Sequence, residues 1–168
     1  LRRESQPLQP LTMTDAPTDQ PVEGRFDGRE HRFPVRVYFE DTDLSGVVYH
    51  ANYLRFMERG RSDLLRLLGI DQRGAHEGGE GVYVVADLQI RYLLPARLND
   101  DLVVETRCLS LGAATVSMGQ RIWRGTDLLI EATVRAGFLT PEGRPRRQPP
   151  AWMEKFRSLL PAVSEPRS

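Results

Sequence analysis

Residues 40–53 read Glu40-Asp41-Thr42-Asp43-Leu44-Ser45-Gly46-Val47-Val48-Tyr49-His50-Ala51-Asn52-Tyr53. Carboxylates and a glycine turn stand just ahead of a long amphipathic stretch. A carboxylate can attack a carbonyl carbon or take a proton from water. The unpaired N–H groups at a helix start can hold the negative charge that then develops on the carbonyl oxygen. Asp43 is the residue best placed in the sequence for the first role.

Three uses of the segment can be weighed on its residues. As a calcium loop, Asp41, Asp43 and Ser45 would fill the first, third and fifth positions and Gly46 the sixth. Its twelfth position is Asn52 instead of glutamate, and the residues before it read as a strand, not a helix. As a structural device, Asp or Ser ahead of a helix satisfies free amides. One such residue suffices, however, and clustered carboxylates repel one another unless their surroundings compensate. As a catalytic loop, Asp43 faces an electrophilic carbonyl whose oxygen lies on the amides of residues 49–51, and Gly46 lets the backbone approach closely. Acyl transfer to water is the matching chemistry.

The elements that must position this loop follow from periodicity. Residues 33–40 alternate, with Val35, Val37 and Phe39 on one side, and predict a strand. Residues 49–68 predict a helix whose apolar arc holds Tyr53, Leu54, Phe56, Met57, Gly60, Leu64, Leu65, Leu67 and Leu68, with Gly69 as its left-handed stop. So wide an arc suits a helix wrapped by a curved sheet. Arg61 falls inside the arc and Glu58 at its edge, which reads first as an i, i+3 ion pair. Residues 71–81 predict a Gly-rich loop containing His76. Four alternating segments follow with short turns between them, the first with Val82, Val84, Ala86, Leu88 and Ile90 on one face. A short amphipathic helix is expected over residues 152–160. An antiparallel sheet with one long helix leaves a face and an edge strand uncovered, and a dimer joined edge to edge would cover them.

Composition narrows the function classes. The chain's 168 residues imply one domain. The expected division is a disordered extension over residues 1–31, a folded domain over 32–140 and a tail over 141–168. Positive and negative charges balance at 23 each, so nothing favours nucleic acid or an anionic membrane surface. Cys108 is the only cysteine and excludes an intrachain disulfide, so a cytoplasmic location is expected. No apolar run is long enough to span a bilayer. Arg2 and Arg3 have no apolar segment behind them, as a signal peptide would require, and Met13 is a candidate start residue.

Residues 35–61, Val-Arg-Val-Tyr-Phe-Glu-Asp-Thr-Asp-Leu-Ser-Gly-Val-Val-Tyr-His-Ala-Asn-Tyr-Leu-Arg-Phe-Met-Glu-Arg-Gly-Arg, together with residues 90–100, resemble the hot-dog-fold acyl-CoA thioesterases. More narrowly they resemble the 4-hydroxybenzoyl-CoA thioesterase type and its Tol–Pal-associated branch. The resemblance implies an α+β hot-dog fold, with an antiparallel sheet of about five strands around a central helix in the order β-α-β-β-β-β. It implies Asp43 as nucleophile or general base, and His50 as a catalytic partner whose N–H polarises the thioester carbonyl and whose ring assists or orients. Gly46, Val47, Val48, Tyr49, Asn52, Tyr53 and Glu58 become candidate substrate-binding residues. It implies a fatty or short-chain acyl-CoA substrate, acyl carrier protein as a further carrier, a homodimer or homotetramer, and neither metal nor cofactor. Two other readings stay open: a hot-dog protein that binds acyl-CoA without turnover, and a hot-dog hydratase or dehydratase. The turn at residues 111–115 lacks the cations that some aromatic-acyl relatives carry there, so no CoA phosphate contact is assigned.

Overall fold

The computed structural model describes residues 20–161. Six antiparallel strands form one sheet: β1 (Arg25–Asp27), β2 (Glu30–Arg36), β3 (Val82–Tyr92), β4 (Asp101–Leu111), β5 (Thr115–Arg124) and β6 (Asp127–Leu139). Their spatial order is β1-β2-β4-β5-β6-β3, so β1 and β3 are the edges. The long helix α1 (Asn52–Leu67) lies on one face, followed by the short α2 (Gln72–Glu77) and, after the sheet, α3 (Pro150–Leu159). The predicted arrangement of a sheet around one long helix is present, with β1 as a sixth strand.

The helix packs because its apolar positions recur at three- and four-residue intervals. Tyr53, Phe56, Met57, Gly60, Leu64 and Leu65 are all buried. Gly60 marks the closest approach: a Cβ there would lie 2.9 Å from Val104 Cγ1 on β4. The core has two parts. Tyr53, Phe56 and Met57 meet Val35, Leu102, Val104, Ile122 and Ile130, whereas Leu64 and Leu65 meet Cys108, Met118, Val134 and, on α3, Phe156 and Leu159. Cys108 is buried, which pushes its thiol up to about 11 and leaves it inert.

Several boundaries differ from the sequence reading, each for a local reason. Residues 25–31, expected to be disordered, form β1 and the start of β2, joined through Gly28 at φ +60°. Phe26 packs edge-on against His31 at 5.5 Å, and residues 1–19, including Met13, lie outside the described residues. β2 ends at Arg36, and residues 39–41 turn as a 3-10 helix that leaves Phe39 exposed. The long helix begins at Asn52 instead of residue 49, and Leu54 is exposed although the arc included it. Residues 72–77 are helical because Asp71 accepts the Gly74 N–H at 2.9 Å and Ala75 is buried; His76 is exposed on α2. On β3 a bulge between Val85 and Asp87 shifts the alternation. Leu88 packs on the core as expected, but before the bulge Tyr83 faces inward and Val84 is exposed.

A buried polar network ties the hairpin to α1. His31 Nε2 is 2.8 Å from Asp63 Oδ2, which also accepts the Gly24 N–H at 2.9 Å, while Arg66 donates to Asp63 Oδ1 at 2.5 Å. Burial pushes His31 below its ordinary value of 6.5 against the pull of Asp63, so the folded ring is neutral. Burial pushes Asp63 up, but the bonds from Arg66, His31 and Gly24 outweigh it and hold the carboxyl below its usual range.

Two outcomes follow. Gly60→Val forces Val104 aside and lowers stability by about 1–3 kcal/mol, read as a lower denaturant midpoint at unchanged slope. A histidine with a depressed folded value binds its proton more readily in the unfolded chain. Stability therefore falls as pH drops below 6.5, ahead of any loss from Asp63. His31→Gln flattens that decline between about pH 7 and pH 5, measured by urea denaturation across pH.

Candidate active site

The loop between β2 and α1 is held by Asp41, not by Asp43. The Asp41 side chain is 4% exposed. Its Oδ2 accepts the Tyr38 N–H at 2.8 Å and its Oδ1 the Asn52 Nδ2–H at 2.5 Å, while its backbone oxygen accepts the Tyr49 N–H at 2.9 Å. These bonds stop β2, turn the chain and set where α1 begins. Asn52, expected to bind substrate, is buried and spends its amide on Asp41.

Asp43 opens a tight turn whose tip is Leu44 and Ser45. Its N–H donates to Val47 O and its carbonyl accepts the Gly46 N–H, both at 3.0 Å. Thr42 and Val48 pair across the base, and Gly46 takes φ +75°, which a side chain would resist. The Asp43 carboxylate is exposed. It accepts the Ser45 N–H at 2.8 Å and also the Ser45 hydroxyl. Those two bonds hold its carboxyl below the usual carboxylate range, and His50 adds a smaller electrostatic pull in the same direction. A carbonyl held over this acid needs a pocket beside it. In the single chain none of the described cavities is lined by Asp43.

The amides next to the turn differ in availability. Tyr49 N–H is already bound to Asp41 O, so it is not a free donor. Among the described residues the His50 and Ala51 N–H groups have no acceptor, and they open the helix at its positive end.

Beside them lies an open groove of about 290 Å³ lined by Val48, His50, Tyr53, Tyr92, Leu93, Leu94 and Pro95. The His50 ring is 4.5 Å from that of Tyr49 and 6.4 Å from that of Tyr92. Tyr53 is buried, and its hydroxyl accepts the Ala96 N–H at 2.9 Å while the Val48 N–H donates to Ala96 O at 2.8 Å. Ala96 therefore clamps the loop to the helix and to the segment after β3. Burial pushes the Tyr53 phenol up and keeps it neutral.

Of the candidate residues, the fold brings His50, Val48 and Tyr53 to one groove, with Asp43, Gly46 and Val47 on the adjoining turn and Tyr49 half-exposed beside them. It does not bring Glu58, which lies about 12 Å further along the helix from His50 by helical rise. Glu58 pairs with Arg61 at 2.5 Å, and Arg61 donates to the buried Gln120 at 2.7 Å. Both line a small cavity of about 60 Å³ with Leu65, Tyr83 and Met118. Tyr92 and Ala96 were missed by the sequence reading. Both lie within residues 90–100, which carry the resemblance, but nothing there marks a role for Tyr92, and the clamp by Ala96 uses backbone atoms, which leave no trace in residue type.

The family model of the thioesterase superfamily matches residues 45–131, just after Asp43. The chain belongs to the thioesterase superfamily. It is 48% identical over 103 residues to the acyl-CoA thioesterase YbgC of Haemophilus influenzae, covering 61% of this chain and 76% of that one. It is 38% identical over 128 residues to the acyl-CoA thioester hydrolase YbgC of Escherichia coli, covering 75% and 95%. Among solved structures, one described as a probable thioesterase from Bartonella henselae superposes with a TM-score of 0.68 at 41% identity, covering 71% of this chain and 99% of that one. A DHNA-CoA thioesterase from Staphylococcus aureus reaches 0.73 at 20% identity, covering 77% and 90%, which speaks for the hot-dog fold alone.

Asn52→Ala leaves a carboxylate oxygen of Asp41 buried without its donor. The expected cost is about 1–3 kcal/mol of stability, read by chemical denaturation. The same variant should show faster amide hydrogen exchange at residues 38–49 than at β4 or β5.

Proposed function

We propose that this protein is an acyl-CoA thioesterase in which Asp43 serves as nucleophile or general base. The observation that carries this reading is local. An ionised carboxylate sits on a rigid turn that runs directly into the unengaged His50 and Ala51 amides. The 38% identity to the E. coli acyl-CoA thioester hydrolase, across 95% of its length, supports the substrate class.

The thioester carbonyl oxygen rests on the helix-start amides, which stabilise the charge that develops when the carbon becomes tetrahedral. Asp43 either attacks that carbon, expelling thiolate to leave a mixed anhydride that water opens, or takes a proton from the water that attacks. In both routes the thiolate leaves readily and needs no strong general acid. The His50 ring, between Tyr49 and Tyr92, orients the acyl group in the groove. Val47, Val48 and Tyr53 border the acyl chain, which is fatty or short. The carrier is CoA, with acyl carrier protein as a second one.

The exposure of Asp43 in one chain fits a site completed by a second copy. β3 is an eleven-residue sheet edge that exposes Val84, Val85 and Tyr92, and Leu93 and Leu94 just beyond it are exposed too. Such an edge is a template for pairing with another strand. A homodimer joined there would give Asp43 the cover that the single chain lacks, with the acyl slot at the subunit boundary.

The test is thiol release from a panel of acyl-CoA esters. The parent should hydrolyse at least one of them, and Asp43→Asn should lower kcat by about a hundredfold or more with an unchanged thermal midpoint. Turnover by Asp43→Asn at the parent rate would remove Asp43 from the mechanism. Intact esters after long incubation with the parent would leave only binding.

A further inference from the structure

We propose that Tyr92 is a positioning residue for the oxyanion-binding amides, acting through the peptide group between His50 and Ala51. The inference rests on the hydrolase reading above and assigns a role to a residue outside the loop.

Tyr92 is the last residue of β3, registered against Ile130 of β6. Its hydroxyl donates to the His50 carbonyl at 3.1 Å. In a regular helix that carbonyl would accept the N–H four residues on, from Leu54. Leu54 N–H instead donates to Ala51 O at 3.2 Å. Among the described residues Tyr92 is thus the donor that engages His50 O.

The His50 carbonyl and the Ala51 N–H belong to one planar trans peptide and point in opposite directions. A donor fixed on the carbonyl side sets the tilt of that plane, and so the direction of the unengaged Ala51 N–H. At a helix start such N–H groups face out of the N-terminal end, toward the preceding loop. The same bond draws electron density onto the carbonyl oxygen and makes the N–H a stronger donor.

The Tyr92 ring is itself held. It stands 6.0 Å from Tyr53, edge to face, and Tyr53 is fixed in turn by Ala96 N–H at 2.9 Å. The sheet edge therefore reports to the helix start through one hydroxyl. A purely packing role for Tyr92 would need only the ring, and the hydroxyl would then be dispensable.

Tyr92→Phe keeps the ring and removes the hydroxyl. The expected result is a kcat lower by about tenfold, less than the hundredfold or more that follows loss of an oxyanion donor itself, with KM changed less than about twofold. Tyr83→Phe is the control. Its hydroxyl bonds Gln148 at 2.5 Å in the other half of the core, and its kcat should equal the parent's. A second readout is the carbonyl stretch of ¹³C-labelled acyl-CoA bound to Asp43→Asn. The red shift should be smaller in Asp43→Asn/Tyr92→Phe. Were Tyr92→Phe to fold poorly, 3-fluorotyrosine at position 92, a stronger donor with the same ring, should give a kcat at or above the parent's while its phenol is un-ionised.

Parent kcat in Tyr92→Phe, or an unchanged carbonyl shift in the double variant, overturns the assignment while an active parent and an inactive Asp43→Asn leave the hydrolase reading standing. A 3-fluorotyrosine protein slower than the parent also overturns it. Absence of thiol release by the parent overturns both.

Discussion

Everything at the candidate site hangs on the buried carboxylate of Asp41. A charge held away from water survives only where donors surround it. Here Tyr38 N–H and the Asn52 side chain supply them, and the Asp41 backbone oxygen takes the Tyr49 N–H as well. Strand end, loop and helix start are thereby fixed to one another by a single residue. The turn bearing Asp43 is rigid because both of its ends are anchored, at Thr42–Val48 below and at Ala96 beside it. The division of labour among the acids follows. Asp41 is satisfied inside, and Asp43 stays ionised and exposed, its carboxylate bonded only to Ser45 among the described residues.

Much of this was legible in the sequence, and the omissions have physical causes. Alternation and three-to-four spacing report side-chain burial, so β3 to β6 and the long helix could be read directly. Asp41, Asp43 and Glu40 look alike in sequence, and only the donors brought by Tyr38 and Asn52 separate them. The start of α1 moved to Asn52 because the Tyr49 carbonyl takes the Asn52 N–H and the His50 carbonyl the Tyr92 hydroxyl, not the amides four residues on, and neither bond has a compositional mark. The change of face on β3 comes from the bulge before Asp87, which strict alternation cannot express. β1 and the start of β2 were missed because their anchor, the His31–Asp63 contact, joins residues 32 positions apart.

The two halves of the core serve different ends of the helix. Around Tyr53 and Phe56 the packing sets the position of the site. Around Leu64 and Phe156 it closes the far end, where Lys155 Nζ donates to Gly69 O at 3.0 Å and Gln148 is buried against the β4–β5 turn. Glu58 and Arg61 occupy the boundary between them. Their ion pair explains how two charges can lie beside an apolar arc.

The strand order has a consequence for how the chain is made. Among the described residues β2 pairs with β4 and not with β3, and β3 pairs only with β6, the last strand. A ribosome adding about 5–20 residues per second therefore makes β3 some seconds before its partner. During that interval Val84, Val85 and Tyr92 sit on a strand with both edges unpaired. Until β6 joins it, β3 is a ribbon open to strands of other copies, so the sheet can close only when its last strand arrives.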